Sequence, residues 1–173
     1  CLAAGLELET IASGLSALKN IPGRLEKVFC ERPQAESSPK SPVGRFSVLI
    51  DYAHSDDALK NVLSTLKRVC RARLIVVFGC GGDRDRTKRA RMAKAAQNYA
   101  DYVVVTSDNP RTENPDEIIK EILAGFKNIN SQQLTVETDR KKAIAFAIKS
   151  AQKDDIVLIA GKGHEDYQII GSK

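Results

Sequence analysis

Leu74-Ile75-Val76-Val77-Phe78 runs without a break into Gly79-Cys80-Gly81-Gly82. Five consecutive apolar residues, mostly β-branched, read as a strand buried on both faces, and the glycines read as its terminal turn. A helix over Thr87–Tyr99 follows. Outward from this stretch the same alternation continues. Phe46-Ser47-Val48-Leu49-Ile50 is a second buried strand, ending at Asp51. Ser55 then caps a helix with Leu59, Val62, Leu63, Leu66 and Val69 on one face. Downstream, residues 102–106 form a strand, and Asn114 with Pro115 opens a helix carrying Ile118, Ile119, Ile122, Leu123 and Phe126. Asp139 starts another helix, with Ala143, Ile144, Ala147 and Ile148 inward. The strand Ile156–Ala160 ends in Gly161-Lys162-Gly163. Val- and Ile-rich strands alternating with amphipathic helices predict an α/β fold: a doubly wound, mostly parallel, Rossmann-like sheet of about six strands with flanking helices.

Upstream, residues 2–19 read as a helix that stops at Ile21-Pro22-Gly23. A short strand is expected over 25–30, and Ser37-Ser38-Pro39-Lys40-Ser41-Pro42 is a loop by composition. The expected boundary lies at Pro22-Gly23, with residues 1–22 a tail and linker and residues 23–173 one domain. The chain's 173 residues suit one such domain, and 42% hydrophobic with 28% charged residues is ordinary for a globular protein. This excludes collagen, coiled coil and disordered tail. The apolar runs are strand-length, so none spans a membrane, and no basic leader with an apolar core precedes the domain. The first residue is Cys1, and the opening residues read as a cut through something longer.

The 27 basic residues exceed the 22 acidic ones by five. Most of the excess is local: Arg84, Arg86, Lys88, Arg89, Arg91 and Lys94 stand against Asp83 and Asp85. Such a patch could attract nucleic acid or a small anion, but it lacks the interleaved aromatics that stack on bases, so nucleic acid is not expected. Cys1, Cys30, Cys70 and Cys80 form no CxxC pair and no metal spacing with His54 and His164, which fits a reduced, cytoplasmic protein.

In doubly wound sheets, ligands bind at the carboxyl ends of the strands. Four strand-end segments carry unusual residue types: Asp51-Tyr52-Ala53-His54, Gly79 through Asp85, Asp108-Asn109-Pro110-Arg111, and Gly161-Lys162-Gly163-His164-Glu165. They should share one sheet edge and build one polar site. The clustered glycines exceed what a turn needs and suggest close approach of a ligand or second domain. Neither a dinucleotide fingerprint nor a Walker A loop is present. Arg84 and Arg111 offer planar forks to carboxylates; a lone arginine is more often a surface salt bridge worth about 0–1 kcal/mol, but two at neighbouring strand ends favour an anionic ligand. Asp108 and Glu165 suit an ammonium, so the edge as a whole suits a zwitterion. His54 could be a metal ligand, a base or a nucleotide contact, although a lone histidine is more often a hydrogen-bonded structural residue.

Ile21-Pro22-Gly23-Arg24, Asp51-Tyr52-Ala53-His54, Phe78 through Asp85, Asp108 through Glu113, and Ala160 through Gln168 appear in order. Together they resemble the carboxyl-terminal domain of the Mur ligases of peptidoglycan synthesis, over about residues 21–170. The resemblance implies an ATP- and Mg²⁺-dependent amide ligase. It would add meso-diaminopimelate to UDP-MurNAc-L-Ala-D-Glu through an acyl phosphate. It implies that Arg84, Asp108, Asn109, Pro110, Arg111, Gly161 and Glu165 contact meso-diaminopimelate, and that Arg24, Asp51 and His54 lie on the ATP side. Lysine-adding members lack the arginine at position 111. The family's phosphate-binding loop, magnesium ligands, carbamylated lysine and amino-terminal domain have no counterpart here. Residues 1–22 then resemble only the tail of the central ATPase domain, and the chain is expected to be catalytically silent alone. The alternatives are a folylpolyglutamate-type ligase adding another amino acid and a stand-alone amino-acid-binding module.

Overall fold

The computed structural model describes residues 5–17, 21–28, 46–128 and 130–171. The remainder of the expected first helix (2–4, 18–19), residues 29–30 of the expected strand, Cys1, and the loop at 37–42 lie outside the described residues. Helix α1 (Leu8–Ala17) is followed by β1 (Glu26–Val28), β2 (Ser47–Asp51) and α2 (Asp56–Val69). Next come β3 (Leu74–Phe78), α3 (Thr87–Tyr99), β4 (Tyr102–Val105) and α4 (Pro115–Leu123). A single 3-10 turn at Ser131–Gln133 leads into β5 (Leu134–Val136), α5 (Arg140–Ser150) and β6 (Ile156–Ala160). The six strands form one sheet in the order β1-β2-β6-β3-β4-β5. Only β1 runs antiparallel to its neighbour.

The opening stretch behaves as its composition dictates. All five residues of β3 are buried, with Leu74, Val76 and Phe78 facing α2, α3 and α4, and Ile75 and Val77 facing α5. Successive strand side chains point to opposite faces, so a strand covered on both sides must be apolar at every position. The helices open as expected. The Ser55 hydroxyl accepts from the Ala58 amide, Asn114 from Asp116 and Asp139 from Lys142, each satisfying an end amide of its helix.

Several expectations need correction. The helix expected over 2–19 leaves out Gly5, Leu6 and Glu7, for it starts at Leu8. Phe126, expected on the helix opened by Pro115, lies beyond its end at Leu123. Val69 was expected on the inward stripe of α2 but is 64% exposed, because it is the last helical residue and the buried stripe ends at Leu66. Strand β5 was not located in the sequence. It has three residues, pairs on one side only with β4, and is only half-buried, so neither a long apolar run nor alternation marks it.

Asp155 anchors the start of β6. Its buried carboxylate pairs with the Arg73 guanidinium at 2.6 Å and accepts the backbone amides of Arg73 and Gln152. Burial alone would raise its pKa, but the bonds from Arg73 and Gln152 prevail and hold it below the usual carboxylate value.

Candidate functional site

Strands β2, β3, β4 and β6 all end at one edge, and their terminal loops enclose a cleft of about 400 Å³. That is the size of a small-molecule site. Tyr52 and His54 line it from the β2 end. Gly79, Gly81, Arg84, Asp85 and Lys88 come from the β3 loop and the start of α3. Asp108, Asn109 and Arg111 follow β4, and Gly161 and Glu165 follow β6. Of the ten residues expected at a site, seven therefore meet in this cleft. Arg24, Asp51 and Pro110 do not line it.

Each absentee has a position that explains it. The Asp51 carboxylate accepts the backbone amides of Leu25 and Ala53, each at 2.8 Å, and so ties the Arg24-Leu25 segment to the end of β2. Arg24 lies over the Tyr52 ring, 5.2 Å from its centroid. Pro110 is buried behind the cleft, where its carbonyl accepts the Glu113 amide.

The glycines prove to be required by the chain's own packing. A Cβ on Gly79 would lie 2.3 Å from the Thr106 carbonyl oxygen, and one on Gly82 only 1.9 Å from that of Pro110. The Gly82 amide donates to the Asn109 carbonyl at 2.9 Å. The loops after β3 and β4 thus lie in direct backbone contact, which any larger residue would prevent. Packing against the loop after β4 accounts for Gly79 and Gly82, and at Gly81 the missing Cβ leaves room for Arg111 Nη1; Gly79 and Gly81 also line the cleft.

A buried ion network clamps the same two loops. Arg89, fully buried on α3, donates two bonds to Glu113 and one to Glu121, and Arg86 also pairs with Glu121. Glu113 in turn accepts the Asp83 amide at 2.6 Å. The Arg89 bonds, aided by that amide and opposed by burial, pull the Glu113 pKa down from 4.5 to about 2. Arg91 pairs with Asp56 and Asp85. Three cations of the basic patch are therefore engaged inside the domain.

Arg84, Lys88 and Arg111 differ: none forms an ion pair with a carboxylate among the described residues. Arg111 Nη1 donates to the Gly82 carbonyl at 2.8 Å, and Lys88 Nζ to the His54 carbonyl at 2.9 Å. Of the three carboxylates that line the cleft, Asp85 is engaged by Thr87 and Arg91, which leaves Asp108 and Glu165. Asp108 Oδ1 accepts the Asn109 amide at 2.7 Å, while its Oδ2 is buried with no partner. Glu165 Oε2 accepts from Asn109 Nδ2 at 3.3 Å and lies 3.4 Å from Lys162 Nζ. An orphaned buried carboxylate oxygen asks for a donor that the protein does not supply.

At the β2 end, His54 Nδ1 donates to the Tyr52 carbonyl at 3.0 Å, and its ring meets Tyr52 edge-on at 4.8 Å. His164 stacks on the other side at 6.0 Å. Cys80 is buried beside Met92, and burial pushes its thiol up to about 12, so it stays protonated at neutral pH. Arg140 reaches under the floor, donating to the carbonyls of Ala160 and Ser107, and burial lowers its pKa.

Tyr52, Asp85, Lys88 and Lys162 were not singled out from the sequence. Lys88 was one cation among six in a patch, and Lys162 entered only as part of a glycine-flanked turn. Nothing local marks Lys88 as lining the cleft or Lys162 as buried against Asn109 and Glu165.

The chain matches the family described as Mur ligase, glutamate ligase domain, over residues 38–163. It belongs to the Mur ligase family. Over 169 residues it is 49% identical to the UDP-N-acetylmuramoyl-L-alanyl-D-glutamate–2,6-diaminopimelate ligase of Synechococcus sp. (strain WH7803), covering 98% of this chain and 32% of that protein. The ligase of the same name from Gloeobacter violaceus (strain ATCC 29082 / PCC 7421) is 50% identical over 171 residues, 99% of this chain and 32% of that one. A solved structure of a ligase of that name superposes with a TM-score of 0.76 at 40% identity, over 99% of this chain and 32% of that chain. The bifunctional folylpolyglutamate synthase/dihydrofolate synthase from Yersinia pestis CO92 shares the fold, with a TM-score of 0.64 at 19% identity over 92% of this chain and 32% of that one. The chain spans about a third of the length of these proteins.

Proposed function

We propose that the cleft binds meso-2,6-diaminopimelate, the amino acid that an ATP-dependent ligase joins to UDP-MurNAc-L-Ala-D-Glu in peptidoglycan synthesis in the cytoplasm. The observation that carries this reading is the presence of both charges, uncommitted to each other, in one cleft. Arg84 and Arg111 lack carboxylate partners among the described residues, and they line the same cleft as Glu165 and Asp108, whose buried Oδ2 has no partner. Guanidiniums take carboxylates, and the two acids take an ammonium. Diaminopimelate carries both groups at its unreacting end, whereas lysine carries only the ammonium. A bidentate arginine rewards the extra carboxylate and is left unpaired when lysine binds. The relatives named for diaminopimelate support the same choice.

In this reading ATP supplies the phosphoryl group that activates the D-glutamyl carboxylate as an acyl phosphate. The residues of this chain hold the amine of the incoming amino acid toward that carbon, and its attack forms the amide as phosphate leaves. Arg24, Asp51 and His54 face the nucleotide. Arg24 forms no ion pair among the described residues and stands on the Tyr52 ring, which fits a phosphate-bearing partner. Asp51 acts by holding the backbone that carries Arg24. No group of three or more His, Cys, Asp or Glu side chains converges as a metal site among the described residues, so no residue here is assigned to Mg²⁺ and no step is routed through it. In this reading residues 1–22 belong to the tail and linker of the central ATPase domain of the ligase.

Calorimetry of the chain with meso-diaminopimelate, L-lysine and L-glutamate tests the reading. Diaminopimelate should bind at least about tenfold more tightly than lysine, the worth of one charge-assisted contact. Equal affinities for all three would sink the substrate assignment. The chain alone should hydrolyse no ATP.

A further inference from the structure

Lys162 has no part in the proposed chemistry, yet its side chain is only 8% exposed. An ammonium is kept out of water only when its three donors find acceptors. Lys162 Nζ finds the Asn109 Oδ1 at 2.7 Å, the Tyr167 carbonyl at 2.6 Å and Glu165 Oε2 at 3.4 Å. It also lies over the Tyr167 ring, 5.5 Å from the centroid. These partners come from two separate pieces of chain: the loop after β4 and the segment that follows β6.

The consequence falls on Asn109. Its Oδ1 accepts from Lys162 and from the Ile169 amide at 2.9 Å, both of which can only donate. The orientation of the amide is therefore fixed, and its Nδ2 is turned toward Glu165 Oε2 at 3.3 Å. Glu165 then has one oxygen committed to Asn109 and Lys162. Its Oε1 has no hydrogen-bond partner among the described residues, and the residue lines the cleft.

We propose that Lys162 is a positioning residue of the amino-acid site: it orients the Asn109 amide and, through it, holds the Glu165 carboxylate with one oxygen free for the ligand's ammonium. This deepens the reading of the cleft as an amino-acid site and rests on it. Lys162 touches no ligand in this arrangement and acts only through its two partners.

Two measurements on this chain test it. In the unliganded wild type, NMR should show the Asn109 side-chain amide protons as a resolved, slowly exchanging pair. In Lys162→Met they should collapse to the behaviour of an exposed asparagine. An exposed-like Asn109 amide in the wild type, or an unchanged one in a folded Lys162→Met, overturns the proposal whether or not any ligand binds. Should Lys162→Met fail to fold, Lys162→Leu, which likewise removes the donor to Asn109, serves for the same comparison. With meso-diaminopimelate, Lys162→Met should lose about tenfold or more in calorimetric affinity, as expected for a hydrogen bond to a charged group. Combined with Glu165→Gln, the two losses should fall well short of additive. A purely structural Lys162 would give additive losses, which would overturn the proposal. Absence of any diaminopimelate preference in the wild type would instead count against the amino-acid reading of the cleft, with the Asn109 signals still deciding the role of Lys162.

Discussion

Arg111 has a left-handed backbone, with φ of 51°, a conformation that costs an arginine about 1–2 kcal/mol. The chain holds it there by pairing on both sides: the Arg111 amide donates to the Ile169 carbonyl at 3.0 Å, and the Gly171 amide donates to the Arg111 carbonyl at 2.8 Å. Strain of this kind persists where the surroundings over-determine it, and here it aims a guanidinium along the cleft wall. Arg111→Ala should weaken diaminopimelate binding by about 2–3 kcal/mol while barely changing the melting temperature, because the guanidinium has no carboxylate partner to lose. Calorimetry beside thermal unfolding checks both halves. Arg111 and Asp108 were legible as site residues because the topology rule puts strand ends together. The unpartnered oxygen of Asp108 was not, since it depends on which neighbours fail to reach it.

The two loops after β3 and β4 behave as one element. Backbone contact at Gly82 and the Arg89–Glu113–Glu121 network join them, so the site's walls move together. Gly82→Ala must push a Cβ out of the Pro110 carbonyl, and overpacking of this sort costs about 1–3 kcal/mol. We expect that loss in denaturant unfolding, together with weakened diaminopimelate binding, since the shift separates Arg84 from Arg111. The glycine run was legible as unusual, but its cause was not. A glycine tolerated for a ligand and one demanded by a neighbouring loop look the same in sequence. Arg89 likewise read as one charge in a basic patch, and only the fold showed it buried between two acids.

Across the whole molecule, carboxylates held by arginines set the response to acid. Glu113 at about 2, with Glu121 and Asp155 also lowered, each ionises more readily folded than unfolded. A depressed folded pKa gives stability that is fully present above the unfolded value and lost as pH falls through the folded one. For Glu113 the window runs from 4.5 down to about 2. Urea unfolding as a function of pH should show stability falling through that window, and Glu113→Gln should flatten the fall while lowering stability at neutral pH. By itself the sequence determined the order of the helices and of every strand but β5, the mostly parallel sheet, the caps of α2, α4 and α5, and the edge where polar segments gather. These follow from local periodicity and capping chemistry, which act over a few residues. The tertiary structure alone decided which of the gathered groups face the cleft and which brace it. Lys162 pairs with Asn109, Asp51 with the Leu25 amide and Arg89 with Glu113 across gaps of 24 to 53 residues, and such pairings leave no periodic trace in the chain.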